Sequence, residues 1–317
     1  MKSPKLMDLY SDYLLTSPDS ASAQVMVKVL NDCYSHDSVT RMLAQPELGQ
    51  KVFWKQIKSV IRQVESEQGV ISIDDSLEHK PHSTENELIS WHFDHSQGCS
   101  VKGINLVTFT YVNELSSGTK VKMPLAWELV RKDKIVEKTE KKGGKFITCQ
   151  VRQASVSKKS KTWLQVSQAD LEPDRTYLVH VKDIPFTLCL IKKVYHNLDG
   201  STGVQYLLSS DTDQEVKDID QTYQKRWSSE DLHRSLKQNT ALEKMPAKMA
   251  CSQANHIFGS MLAQIKLESL KIATKLNHYA LKKQILIEAL KTAWKYLQEI
   301  KQWASEKNAT FPNFNPA

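Results

Sequence analysis

Apolar residues recur every three or four positions over Leu6–Leu15, Ala21–Leu30, Asp37–Leu43 and Val52–Val64. That period predicts four short helices in the first 65 residues. Ser35-His36-Asp37-Ser38 offers capping chemistry just ahead of the third. A helix-turn-helix module and a small helical bundle have the same texture, so the pattern leaves both open. At Gly69 the period changes. Val70-Ile71-Ser72-Ile73 reads as a strand running into Asp74-Asp75-Ser76. In Ile104–Val112, Leu106, Thr108, Thr110 and Val112 alternate with Val107, Phe109 and Tyr111, which predicts a strand covered on both faces. A third strand is expected over Lys122–Val130, with Leu125, Trp127 and Leu129 on one face.

Arg131–Gly144 is polar, rich in lysine and closes on Gly143-Gly144, as a loop would. Beyond it, strands are expected at Lys145–Val151, Thr162–Val166, Thr176–Val181, Phe186–Tyr195 and Val204–Ser209. Asn197-Leu198-Asp199-Gly200 is a turn signature that should pair the last two as a hairpin. Helical periodicity returns over Val216–Lys237, Ser252–Leu276 and Tyr279–Ser305, with Gly259 as a point of close packing. These changes of texture divide the chain into 1–65, 66–144, 145–212 and 213–305, with a frayed tail over 306–317.

Composition narrows the class. The chain has 317 residues, 40% hydrophobic and 25% charged, with 10 Gly and 10 Pro, which suits a folded protein rather than a disordered one. No apolar run approaches the length of a membrane span, and Met1-Lys2-Ser3-Pro4-Lys5 lacks the apolar core of a signal peptide. The expectation is a cytoplasmic protein without a membrane partner. Five scattered cysteines without a C-x-x-C pair read as reduced thiols. The net charge is +7, and Arg131–Lys161 alone holds eleven Lys/Arg against three acids. Such a field favours a polyanion; a solubilising lysine-rich surface explains the charge as well.

Candidate chemistry is sparse. Asp74 and Asp75 close a strand, where an acid serves as a turn cap or as a metal ligand. Paired with Glu230 from a later helix, they would suit Mg²⁺ or Mn²⁺ better than zinc. His79, His82, His92 and His95 gather around Trp91 and Asp94, but nothing completes a zinc set and hydrogen bonding is the expected role. The chain has no G-x-x-x-x-G-K-[ST], G-x-S-x-G or G-x-G-x-x-G, so nucleotide hydrolysis, serine hydrolysis and dinucleotide binding lose their usual marks.

One stretch is more specific. On a continuous helix at about 100° per residue, Tyr223, Arg226, Glu230 and Lys237 share a stripe about 60° wide. The spacing Tyr223-x2-Arg226-x3-Glu230-x6-Lys237 resembles the Y-R-E-K signature of bacterial insertion-sequence transposases of the DDE type. Ile73-Asp74-Asp75-Ser76, Lys102-Gly103-Ile104-Asn105, Pro124–Val130, Asn197–Gly203 with Tyr206-Leu207, and Lys275-Leu276-Asn277-His278 are similar to other blocks of that family.

The resemblance implies an α/β fold: a ribonuclease-H-like core with a β-rich insertion, a helical N-terminal region and long C-terminal helices. It implies three acids holding two Mg²⁺ (or Mn²⁺) ions about 3.5 to 4 Å apart for cleavage and strand transfer at transposon ends. Asp75 would be the first acid with Asp74 beside it, and Glu230 the last. Tyr223, Arg226, Lys237 and Arg234 would face double-stranded DNA, in a nucleoid-associated protein that could pair as a homodimer. The family's middle acid should end an apolar strand between Val130 and Lys145, yet only Arg131–Gly144 lies there and it forms no such strand. Asp133 sits within Arg-Lys-Asp-Lys, and Asp170, Asp174 and Asp183 fall in the insertion. The expectation is an internal deletion that removed a strand, the middle carboxylate and a helix, leaving a catalytically defective copy. A non-catalytic DNA-binding derivative and a nuclease with a rearranged third acid are the alternatives.

Overall fold

The computed structural model describes residues 3–17, 21–94, 96–131, 150–153 and 164–307. The chain divides into two compact units, Met1–Asp133 with Ser228–Ala317, and Lys134–Trp227.

The first unit opens with α1 (Ser3–Thr16), α2 (Ala23–Val29), α3 (His36–Leu43) and α4 (Gln50–Val64). Ser35 caps α3 by accepting a hydrogen bond from the Ser38 amide. A four-stranded antiparallel sheet follows: β1 (Val70–His79), β2 (Ser90–Asp94), β3 (Cys99–Glu114) and β4 (Lys120–Leu129). The long β3 is its spine. It pairs with β1 along one edge and with β2 and then β4 along the other, with a bulge between Phe109 and Thr110. Among the described residues, β1 pairs with β3 alone. The unit closes with α6 (Trp227–Asn239, its first residue belonging to the other unit), α7 (Ala250–Thr274) and α8 (His278–Glu306).

Helices and sheet share one core. Phe53 of α4, Trp127 of β4 and Phe258 of α7 meet edge to face with ring centroids 4.8 to 5.9 Å apart. Gly259 lets α7 approach α1, since a Cβ there would lie 3.0 Å from the Tyr10 ring. The buried Asn255 amide donates to the carbonyls of Leu43 and Gln45 and accepts from the Leu48 amide, so α7 grips the connection between α3 and α4. The described residues contain no helix long and apolar enough to cross a membrane.

The second unit carries a five-stranded antiparallel sheet, β6-β5-β7-β8-β9, built from β5 (Gln150–Gln153), β6 (Leu164–Gln165), β7 (Thr176–Val181), β8 (Thr187–His196) and β9 (Thr202–Ser209). β8 and β9 form the hairpin that the Asn-Leu-Asp-Gly turn predicts, with Gly200 at φ 82°. One face of the sheet packs Leu171, Val179, Val181, Leu188 and Leu190 together. On the other, Cys189, Ile191 and Leu207 receive Ile219 from α5 (Val216–Gln224).

Three expectations change. The single helix over Val216–Lys237 is two, because the chain turns at Lys225 and Arg226; the Arg226 amide bonds the Tyr223 carbonyl, a tight i to i−3 closure. The expected cover on both faces of the sheet is incomplete: Ile71 and Ile73 are 59% and 58% exposed, and Val107 and Phe109 beside them are half-buried. The histidine-rich segment contains an edge strand, β2, where His92 Nε2 lies 2.9 Å from Ser90 Oγ and His79 Nε2 lies 3.2 Å from Asp94 Oδ2. The segment 132–144, where the deletion was expected, and Asp133 lie outside the described residues.

Candidate carboxylate seam and nucleic-acid interface

Strand alternation separates the two acids of β1. Ser72, Asp74, Ser76 and Glu78 point to the face that α6 covers, while Ile71, Ile73, Asp75 and Leu77 point away. Asp75 is exposed, and its Oδ2 accepts a 3.4 Å hydrogen bond from Asn105 on the same outer face. Asp74 is half-buried beneath α6.

Helix α6 lies along β1 through three successive turns. Ser229 Oγ donates to Ser72 Oγ at 2.8 Å, His233 Nε2 lies 2.8 Å from Thr108 Oγ1, and Lys237 Nζ donates to the Leu77 carbonyl at 2.9 Å. Residues 229, 233 and 237 repeat at i, i+4, i+8, so one polar face of the helix meets the sheet. Glu230 follows Ser229, half-buried in the first turn of α6, where the helix dipole favours a carboxylate. Asp74 and Glu230 therefore belong to the two elements that form this seam, whereas Asp75 is turned to the opposite face. Burial lowers the His233 pKa, against the pull of Asp74, so the ring is held neutral between the acids and Thr108.

Further along, the seam becomes an ion network. Lys237 Nζ lies 3.6 Å from Glu78 Oε1 and 3.2 Å from Glu243 Oε1, and Lys80 Nζ donates to the Glu243 carbonyl at 2.7 Å. Glu78 is almost fully buried, and burial raises its carboxyl to about 8; Lys237 pulls it down and Glu243 pushes it further up. Lys237 thus ties α6 to the end of β1.

The second unit holds the other half of the stripe. Tyr223 Oη accepts a 2.6 Å hydrogen bond from Gln205 Nε2 of β9. The Arg226 guanidinium lies 5.4 Å from the ring centroids of both Tyr223 and Trp227, an arginine flanked by two aromatic faces. Tyr195, Tyr223 and Trp227 border a cleft of about 510 Å³, with Lys193, Gln205 and Asp220. Lys193 pairs with Asp174 at 2.9 Å and Asp220 at 3.3 Å. Trp227 and Tyr195 were not foreseen; the available signal was an aromatic residue directly following Arg226. Arg234 stands exposed on α6 with Asp231 3.8 Å away. The four signature residues are shared between the units: Tyr223 and Arg226 in one, Glu230 and Lys237 in the other.

Among the described residues, no three His, Cys, Asp or Glu side chains come together to hold a metal ion. Asp170, Asp174 and Asp183 lie in the second unit, the last two at turns with positive φ. The acids of the described residues do not make up the set of three that a shared pair of divalent ions needs.

A polar seam of acids under a helix, on a mixed scaffold of helices and sheets, defines the class as α/β. A family model described as "Archaeal putative transposase ISC1217" matches residues 158–278. The matched stretch includes Tyr223, Arg226, Glu230 and Lys237 and ends at His278; Asp74 and Asp75 lie outside it, and it spans less than half of the chain. No curated protein matches the chain. The chain is an α/β protein in which one segment matches a transposase-family model.

Proposed function

We propose that this protein descends from a DDE transposase, holds duplex DNA through Arg226, Arg234 and its aromatic neighbours, and no longer cuts it. The observation that carries the reading is the transposase-family match over the segment that contains the Y-R-E-K spacing. Arg226 between Tyr223 and Trp227 is a preorganised cation suited to a phosphate. The basic run Arg131–Lys161 adds field of the right sign. Asp74 and Glu230, two of the acids the resemblance points to, lie on the α6 seam together with Glu78. With the third ligand lacking among the described residues, a Mg²⁺ or Mn²⁺ pair has no clamp, and no cleavage step is assigned.

Among the described residues β1 pairs with β3 alone, and an open strand edge is what removal of a neighbouring core strand would leave. On this reading, the ancestral function is DNA transposition, and the protein works beside DNA in the cytoplasm.

The test is a titration of purified protein against duplex DNA, with and without Mg²⁺. Binding should weaken steeply with salt, and Arg226→Ala should reduce it about tenfold, near the 1.4 kcal/mol of one good phosphate contact. No nicking is expected. Mg²⁺-dependent nicking abolished by Asp74→Ala, Asp75→Ala or Glu230→Ala would restore an active enzyme; absence of binding at low salt would remove the DNA reading altogether.

A further inference from the structure

Three helices of the first unit meet around a polar cavity of about 310 Å³. Ser235 of α6, Lys271 of α7 and His278 at the start of α8 line it, with Lys122 of β4. Neither the carboxylate seam nor the aromatic cleft uses these side chains. Ser235 Oγ lies 2.8 Å from His278 Nδ1, and His278 Nε2 lies 2.6 Å from Glu268 Oε2. Glu268 is fully buried, and its other oxygen accepts from the Lys122 amide at 3.0 Å and pairs with Lys271 Nζ at 2.6 Å.

Burial opposes the charge of that carboxylate, but His278 and Lys271 outweigh it and hold its pKa below the ordinary value. An ionised Glu268 keeps the proton of a neutral His278 on Nε2, which leaves Nδ1 as an acceptor facing the serine hydroxyl. The one proton of that hydroxyl has two acceptors in reach, His278 Nδ1 at 2.8 Å and Gln264 Oε1 at 3.0 Å. The imidazole is the nearer and the stronger base. A purely structural network needs only to be satisfied; here an open cavity stands against the serine and the histidine. We infer that Ser235, His278 and Glu268 form a nucleophile, base and orienting acid that hydrolyse small acyl esters.

Ser235 Oγ attacks the ester carbonyl as its proton passes to His278 Nδ1. The bond to the leaving alcohol then breaks, and the alcohol carries that proton away. Water repeats both steps on the acyl-serine, releasing the acid and restoring the hydroxyl. The net change is ester and water to acid and alcohol. Negative charge on the carbonyl oxygen is favoured by Lys122 and Lys271 on the cavity wall and by the amide end of α8. The cavity is at the lower end of ligand-pocket sizes, which selects short acyl groups.

The full chain incubated with 4-nitrophenyl acetate tests this, with a fluorophosphonate as the second reagent. The wild type should release a burst of about one 4-nitrophenolate per chain and then turn over slowly. Mass spectrometry should place the acyl and phosphonyl groups on Ser235. Ser235→Ala should abolish both labels, and His278→Gln should slow acylation about a hundredfold or more. If either variant melts early, the labelled position in the wild type decides alone. No burst, a label carried by a lysine or tyrosine instead, or acylation indifferent to Ser235 and His278 in folded variants overturns the inference.

Discussion

The two faces of β1 are built the wrong way round for an ordinary edge strand. Its face toward α6 carries Ser72, Asp74, Ser76 and Glu78, and three of these four are buried; its outer face carries Ile71 and Ile73, and both are exposed. The hydrophobic effect alone would turn the strand over, because a one-residue slip exchanges the faces. What holds it is a set of specific polar contacts: Ser72 with Ser229, Thr108 with His233, Lys237 with the Leu77 carbonyl. A polar interior kept at that cost accords with the proposed descent from a protein with acids at this seam. On the same face, at the β4 edge, the ordinary rule holds, with Trp127 clasped between Phe53 and Phe258.

That contrast sets the scale of the first and largest expected effect. Phe53 is fully buried at the apolar end, so Phe53→Ala should destabilise the protein by about 3 to 5 kcal/mol through lost contacts and a cavity. Urea unfolding measures it. A loss below about 1 kcal/mol would mean that the apolar end is not the part that carries the fold.

The polar end makes a smaller, pH-dependent prediction. Glu78 has its carboxyl raised to about 8, chiefly by burial, so the folded chain keeps a proton there that the unfolded chain gives up near its ordinary value. Its contribution to stability is complete below that ordinary value and is lost as pH rises through about 8, at no more than about 1.4 kcal/mol per pH unit. Glu78→Gln keeps the shape without the titration. The variant should match the wild type within about 1 kcal/mol at about pH 4, and surpass it increasingly as pH rises to about 9. If the variant instead loses ground as pH rises, Glu78 is ionised and its pair with Lys237 is a stabilising one.

Much of the fold was legible because it is local. Periodicity located α1, α3, α4, α7 and α8 to within a few residues, and Asn197–Gly200 announced the β8–β9 hairpin. The unread parts are set by partners distant in sequence. Val70-Ile71-Ser72-Ile73 identifies a strand but not which face turns inward; the choice is made by Ser229, His233 and Lys237, some 160 residues later. The turn at Lys225 and Arg226 contains neither glycine nor proline, so nothing local marks the break that places Tyr223 and Glu230 in different units. The strand β2 went unread because Ser90-Trp91-His92-Phe93-Asp94 is short and three of its five residues are polar. Glu78 passed unnoticed because a glutamate in a strand carries no sign of its burial until α6 covers it.

The smallest expected effect probes the outer face of β1. Ile73→Thr keeps β-branching while removing apolar surface, and at a position 58% exposed it should change stability by less than about 0.5 kcal/mol. The double change Ile71→Thr with Ile73→Thr should do little more to stability, yet lower aggregation, because it removes apolar side chains beside an edge that pairs only with β3 among the described residues. Urea melts and light scattering measure the two quantities. A loss of about 2 kcal/mol for either single change would mean that these isoleucines are buried after all. The strand β1 would then be covered on both faces, as the two-sided apolar pattern of its neighbour β3 predicts.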